Sequence, residues 1–547
     1  MRKEMDRDLV SGYLRADGRN IVNGNGDRII LNGWGVGNWL LNEGYMWLND
    51  DSHFDRQRRI EAVIRQLTGS GFSKFFWKEF RSRYLAEEDI RLMAELGYNS
   101  VRLPFNWRVL LEDEPGLQWI EDGFKLFDNV LDWCEEYGVY AVLDMHGAPG
   151  GQTGAQIDDT IDDMPRLFMD QDSWDKAIAL WSKIAERYAD RWIVGGYDLL
   201  NEPVRQESRE RPHCDFAIPE LARFYDEVIP AIRRYDKKHM LTLEGHYWGK
   251  TATFFAKRFD DNMCIHFHRY AWAGCAPEVY PYQEFLDVSE KLDQPLWMGE
   301  TGENISEWYA AMFSLSADLN IGYCVWPWKK MQCTNSPLSV NKPKHWDKFI
   351  EYTKGGPKPS YEEAQAILSE YLENIRAKNC EPNPEVTRAC FRRPGFPLRG
   401  ADFDLFPGKG VSYSGTRPQP EYNPFLYRMD THMCIKMGRI PPKRGGFYEP
   451  GWDALTLEMT HGEFAVYTAR DVSEGDKLSL ELVALSDAEI ETSVGGRTLG
   501  TFSVNASPDV VITGCLPLPE RDKVSLKVEV RRGTVQLDRI LFTGVLD

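Results

Sequence analysis

Between residues 20 and 375 the chain alternates short apolar runs with amphipathic ones, and this alternation restricts its fold more than anything else in its 547 residues. A hairpin-like stretch over 20–36 leads into the first strand-like run, 31–36. Further runs fall at 100–103, 140–145, 196–200, 240–244, 262–267, 295–299 and 321–326. Helical periodicity occupies the gaps near 86–96, 121–136, 173–189, 217–234, 281–292, 304–317 and 361–376, with only a short crossover around 251–257. Strands separated by helices pair in parallel, and eight such units imply closure. The chain is therefore expected to form a (β/α)8 TIM barrel over residues 1–378, an α/β fold.

The pattern then changes. Residues 377–450 are rich in Pro and Gly, and from Ala454 onward period-two alternation dominates, at 455–459, 478–482 and 524–530, with turns at 474–476 and 495–497. Alternation of this kind reads as an antiparallel β-sandwich, so residues 379–547 are expected to be a linker and an all-β domain.

Two of the barrel's apolar runs stop at a glutamate: Tyr197-Asp198-Leu199-Leu200-Asn201-Glu202-Pro203 and Pro295-Leu296-Trp297-Met298-Gly299-Glu300. A carboxylate at the end of a buried strand is unfavourable unless the strand delivers it to a site. A barrel gathers its strand ends at one rim, where the chemistry of such folds sits. Two carboxylates there are what glycoside hydrolysis needs: an acid for the leaving oxygen, and a second group that attacks the anomeric carbon or activates water. Glu202 and Glu300 are the candidates. Glu303 falls in the loop or helix start beyond the seventh strand, so Glu300 is preferred. Glu244 ends the fifth strand and is open to two readings, a substrate contact or a structural ion pair.

Composition narrows the partner. A net charge of −19 argues against nucleic acid and anionic membranes and fits a neutral substrate such as a carbohydrate. The 18 Trp can serve packing or present flat apolar faces to pyranose rings. No apolar run is long enough to span a membrane. Residues 1–8 are charged, without the apolar core of a signal, and the ten Cys are scattered. Free thiols in a reducing, cytoplasmic compartment are expected, although a secreted chain lacking its leader would read the same way. His266 and His268 lie on one face of a strand, as metal ligands can, but no third ligand is evident at useful spacing, so no metal is expected. The Gly-rich stretch 147–154 lacks the Lys-Ser/Thr of a phosphate loop and is expected to shape the rim. The segment 45–84, with Trp47, Phe54, Phe75, Phe76 and Trp77, would either wall one end of a cleft or simply pack.

Six strand ends carry motifs in order. Arg102 lies in Asn99-Ser100-Val101-Arg102-Leu103-Pro104, and His146 in Leu143-Asp144-Met145-His146-Gly147-Ala148-Pro149-Gly150. Asn201-Glu202-Pro203 ends the fourth strand, and His268 and Tyr270 follow the sixth in His266-Phe267-His268-Arg269-Tyr270. Glu300 ends the seventh strand, and Trp326 the eighth in Cys324-Val325-Trp326-Pro327-Trp328-Lys329. In this the chain resembles glycoside hydrolase family 5, the cellulase-like retaining barrels, over roughly residues 20–375. The resemblance implies a retaining β-glycosidase of β-linked glucose-type glycans, oligosaccharides or glycosides, without a cofactor. A transglycosylase or mannan-directed enzyme on the same barrel, or a non-catalytic glycan binder, are the alternatives. It implies Glu202 as acid/base, Glu300 as nucleophile and Asn201 on the substrate 2-hydroxyl. Arg102 and Tyr270 would attend Glu300, His146 and His268 would bind hydroxyls or orient the acid, and Trp326 would floor the subsite of the cleaved sugar.

The 146–150 loop is similar to that of the exo-β-1,3-glucanase and glucosylceramidase-like branches. It continues as Gly151-Gln152-Thr153-Gly154-Ala155-Gln156-Ile157, where those glucanases commonly have Ser-Gln-Asn-Gly-Phe-Asp-Asn. Stretches 476–480, 495–500 and 535–542 resemble sugar-binding sandwich modules of families 6 and 35.

Overall fold

The structure is a computed structural model that describes residues 9–206, 214–271, 276–418, 423–439 and 451–544. A hairpin of Arg15–Asp17 with Asn20–Val22 precedes a closed eight-stranded barrel. Its strands are β1 (Asn32–Gly35), β2 (Ser100–Asn106), β3 (Tyr140–Gly147), β4 (Val194–Asp198), β5 (Leu241–Glu244), β6 (Met263–Arg269), β7 (Leu296–Gly302) and β8 (Gly322–Trp326). All neighbours pair in parallel, and β8 returns to β1 through Tyr323–Asn32 and Val325–Trp34.

The surrounding helices are α1 (Gln57–Tyr84), α2 (Glu87–Leu96), α3 (Glu121–Tyr137), α4 (Gln171–Tyr188), α5 (Ala217–Arg233), α6 (Gln283–Leu292), α7 (Ser306–Asp318), α8 (Trp346–Thr353) and α9 (Tyr361–Asn374). The β5–β6 crossover is one turn at His246–Gly249 and a 3-10 turn at Ala252–Phe254. Among the described residues no helix is long and apolar enough to cross a membrane.

Strand alternation decides what faces the barrel axis. In β6, Phe267 stacks on Phe285 of α6 with ring centroids 4.3 Å apart. The alternate residues Cys264, His266 and His268 therefore point inward.

The 28-residue helix α1 is absent from the sequence-based expectation. Its apolar periodicity is interrupted at Gly69, whose φ of 77° kinks the helix. Trp47, Phe54, Phe76 and Phe80 are fully buried. Trp47 stacks on Phe80 and meets Trp346 of α8 and Tyr371 of α9, with ring centroids 4.9–6.0 Å away. These aromatics fasten α1 to the last helices of the barrel. Of the five aromatics singled out in this segment, only Phe75 is substantially exposed, at 48%.

Beyond the barrel lie a seven-stranded and a four-stranded antiparallel sheet. Leu478, Leu480 and Leu482 of the first and Val524, Leu526 and Val528 of the second are fully buried on alternate positions, as the period-two pattern requires. The Pro/Gly-rich stretch is built into both parts. Glu381–Pro382 pairs with Leu338–Val340, which follows β8, and Leu398–Arg399 pairs with the strand Thr534–Thr543. Between them α10 (Pro384–Phe391) packs on α7. The helix ends at Arg392, a buried residue whose Nε donates to Ala310 O of α7 at 2.7 Å and whose Nη1 donates to Asp404 Oδ1 at 2.8 Å.

Candidate active site

Arg102, fully buried on the inner face of β2, organises the strand ends. Its Nε donates to Asp198 Oδ2 at 2.8 Å, Nη1 to Glu300 Oε2 at 2.7 Å and Nη2 to Asn201 Oδ1 at 2.8 Å. Asp144 Oδ2 lies 3.1 Å and Glu244 Oε1 3.6 Å from Nη2. One guanidinium thus meets carboxylates from β3, β4, β5 and β7. A buried charge of either sign is tolerated only when paired and hydrogen-bonded, and here each sign supplies the other's partners.

Glu202 follows β4 with its backbone in the left-handed region, φ 43°, a conformation that persists in a non-glycine residue only when its surroundings hold it. Three groups do so. Glu244 Oε2 accepts from Glu202 N at 2.9 Å, and Thr153 Oγ1 donates to Glu202 O at 2.8 Å. Gln152 Nε2 donates to Asn201 O at 2.7 Å and His146 O at 2.8 Å. The Gly-rich loop after β3 is therefore the cradle of the acidic segment. Glu244, for which the sequence left two readings open, is a fully buried brace. It packs so closely that a Cβ on Gly249 would lie 2.3 Å from its Oε2.

Glu300 reaches the axis through a β-bulge. Phe267 is paired with Met298 but His268 with Glu300, which leaves Gly299 as the extra residue of β7. A Cβ on Gly299 would lie 2.0 Å from His266 Nε2, so only glycine fits there. Tyr270 donates to Glu300 Oε1 at 2.8 Å. Glu303 lies beyond β7 and pairs with Lys330.

The two glutamates share His268, whose Nδ1 is 2.8 Å from Glu202 Oε1 and 3.8 Å from Glu300 Oε1. One carboxylate oxygen of each and a His268 nitrogen all lie within 4.8 Å of one another. Their acidities diverge. Burial raises the Glu202 carboxyl above its usual range, more than the His268 hydrogen bond lowers it. Burial also acts to raise Glu300, but the charges of His268, Arg102 and His146 outweigh it and hold Glu300 below the usual range. His268 itself stays protonated well above its ordinary range. Desolvation opposes this, but the charges of Glu244 and Glu300 and the bond to Glu202 prevail.

The remaining expected residues gather at the same rim. His146 Nδ1 is 2.8 Å from Asp144 Oδ2, its Nε2 faces Asn201 Nδ2 at 3.3 Å, and its ring lies parallel to Trp326 at 5.3 Å. Gly35 and Gly37 leave room for the Trp326 indole, since a Cβ on either would come within 2.7 Å of it. Trp326 Nε1 donates to Tyr45 Oη at 2.9 Å.

Sequence reasoning missed several members. Tyr45 and the neighbouring Glu43, from the stretch after β1, lie within the electrostatic reach of Glu300. Burial pushes Glu43 up to about 8. Asp144 and Asp198 occupy the inner alternation of strands already marked by His146 and Asn201, a signal that could have exposed them. The expectation that His266 and His268 lack a third partner is corrected by Glu244. One ligand-type atom from each of the three lies within 4.8 Å of the others. They belong to the same network, with His266 Nδ1 3.0 Å from Asp198 Oδ1 and His268 Nε2 3.1 Å from Glu244 Oε1.

Residues 61–332 match the cellulase family, glycosyl hydrolase family 5. A β-xylosidase of Phanerodontia chrysosporium is 32% identical over 276 residues, 50% of this chain and 55% of the relative, so the chain spans about half that protein's length. Endoglucanase C of Acetivibrio thermocellus is 26% identical over 315 residues, 47% of this chain and 87% of the relative. The crystal structure of an endogalactoceramidase covers 96% of this chain and 99% of its own, at 14% identity and a TM-score of 0.45. The matched stretch, just under half of the chain, is a cellulase domain of glycosyl hydrolase family 5 and contains Arg102, His146, Asn201, Glu202, His268, Tyr270, Glu300 and Trp326.

Proposed function

We propose that this chain hydrolyses β-linked glucose-type glycans, oligosaccharides or glycosides by double displacement, with Glu300 as nucleophile and Glu202 as acid/base. The ionised Glu300 attacks the anomeric carbon while the Glu202 proton passes to the departing oxygen, so the glycosidic bond breaks as the glycosyl ester forms. Glu202, now ionised, takes a proton from water, whose oxygen displaces Glu300 from the anomeric carbon. Arg102 and Tyr270 hold the Glu300 carboxylate in the attacking orientation. Asn201 Nδ2 and His146 present polar edges to the sugar, and Trp326 offers its apolar face.

The observation that carries this reading is the spacing of Glu202 and Glu300 oxygens within 4.8 Å, together with their divergent acidities. Retention needs carboxyl groups about 5–5.5 Å apart, whereas inversion leaves about 6.5–9.5 Å for a water. The glucose-type substrate is supported by relatives named endoglucanase and glucan 1,3-β-glucosidase, and a relative named β-xylosidase supports a β-linked glycoside more broadly.

The test uses aryl β-glucoside, β-xyloside and β-mannoside. Glu300→Gln should abolish turnover in a folded protein. Glu202→Ala should keep activity on good leaving groups and gain rate with azide. Proton NMR should show the β-anomer as first product. An α-anomer first, or near-normal turnover by Glu300→Gln, overturns the assignment.

A further inference from the structure

A second site lies on the flank of the barrel. Helix α1 and the start of α3 border a groove of about 850 Å3 that shares no lining residue with the active site. Six cationic side chains line it, Arg58, Arg65, Lys74, Lys78, Arg81 and Arg108, against two acidic ones, Glu61 and Asp122. This is a local reversal of sign in a chain whose net charge is −19.

Both acids are already engaged. Glu61 Oε2 accepts from Arg108 Nη2 at 2.6 Å and its Oε1 from Gln57 Nε2 at 2.9 Å, while Asp122 accepts from Lys125 Nζ at 2.9 Å. Arg58 and Arg108 are shared with Asp159. Arg65, Lys74, Lys78 and Arg81 make no side-chain hydrogen bond or ion pair with any described residue. Glu79, the one acid in the second half of α1, is taken by Arg83 at 2.6 Å.

Lys74, Lys78 and Arg81 are spaced i, i+4 and i+7, so they stand on one face of α1 and span about 10 Å of its length. Arg81 is half-buried, and desolvation together with the nearby Arg108 works against its charge, with only Glu61 in its favour. Trp77 lies between these turns and lines the groove. It is 8% exposed. Cations left without a partner on one wall of the groove call for acceptor oxygens that carry negative charge.

We propose that this groove binds a ligand bearing several oxyanion groups, phosphate or sulfate, which pair with Lys74, Lys78 and Arg81. The apolar side chains of Val109, Ile120 and Leu126 also line the groove and would receive the ligand's uncharged body.

The test is calorimetric titration of the full chain at low ionic strength with inorganic tripolyphosphate and, separately, sucrose octasulfate. At least one probe should bind, and the stronger identifies whether phosphate or sulfated sugar is the better fit. Binding should weaken as salt is added. Lys74→Glu combined with Lys78→Glu, both exposed positions, should reduce affinity about tenfold or more, as expected for lost charge-assisted contacts. In protein labelled with 15N at tryptophan, the indole resonance assigned by its loss in Trp77→Phe should shift on titration. That measurement on unsubstituted protein stands even if the double variant fails to fold. Failure of both probes to bind, equal affinity in the folded double variant, or an unmoved Trp77 resonance under saturating probe would overturn the proposal.

Discussion

Replacing Glu244 by Gln tests whether the active site depends on its brace. Glu244 Oε2 holds the backbone N–H of Glu202 at 2.9 Å, and Oε1 lies 3.1 Å from His268 Nε2 and 3.6 Å from Arg102 Nη2. Glutamine is isosteric and can keep one acceptor. It must turn an NH2 group either toward the Glu202 amide or toward the cationic edge of His268 and Arg102, so a donor faces donors. The loss of one charge-assisted contact is worth about 1.5–3 kcal/mol, which predicts a fall of roughly 10–100-fold in kcat/KM. The variant also removes a charge that sustains the His268 proton. His268 is foremost among the groups that hold Glu300 ionised. Glu300 must be ionised to attack, so the acidic limb of the pH profile should move to higher pH. The assay is kcat/KM for an aryl β-glucoside across pH, with a thermal melt to confirm folding. A folded variant with an unmoved acidic limb or undiminished kcat/KM would refute the reasoning.

Other outcomes follow from the same contacts. Burial raises Glu43 from the ordinary 4.5 to about 8, so the folded chain keeps a proton that the unfolded chain has lost in this window. Stability should therefore fall as pH rises from 4.5 to 8, by up to about 5 kcal/mol. Glu43→Gln should abolish that contribution, and melting curves that stay parallel to the parent's across this range would contradict it. Arg392→Ala leaves the buried Asp404 without its cation and should destabilise by about 3–5 kcal/mol, read from the first unfolding transition. Trp47→Ala opens the aromatic cluster between α1, α8 and α9 and should cost about 3–5 kcal/mol, with turnover of the folded fraction preserved. Lost turnover in a fully folded Trp47→Ala chain would show that this segment shapes the cleft after all.

Much of the architecture was legible because it is written in local periodicity. The eight barrel strands and helices α2 to α7 and α9 announce themselves through apolar spacing over ten or so residues, a signal that needs no knowledge of distant neighbours. The sandwich strands do so through alternation. Helix α1 escaped because Gly69 breaks its pattern into two halves, neither strongly one-sided, and because its aromatic stripe packs on Trp47, outside the helix, and on Tyr371, almost 300 residues away. The Pro/Gly-rich stretch after residue 377 reads as a linker for a similar reason. Its short strands find their partners in Leu338–Val340 and Thr534–Thr543, far off in sequence.

Sequence by itself marked Glu202 and Glu300 as carboxylates at strand ends, and the family resemblance added Arg102, Asn201 and His268 as their neighbours. Only the tertiary structure decided how they are held and charged. The bulge at Gly299 that turns Glu300 inward is a mismatch between two strands and does not exist in either alone. The amide of Glu202 is fixed by Glu244, 42 residues on, and Arg102 is neutralised by groups up to 198 residues distant. Hydrophobic periodicity is a property of consecutive residues. Acidity and hydrogen-bond geometry are properties of whatever lies within a few ångströms, and that is settled only when the barrel closes.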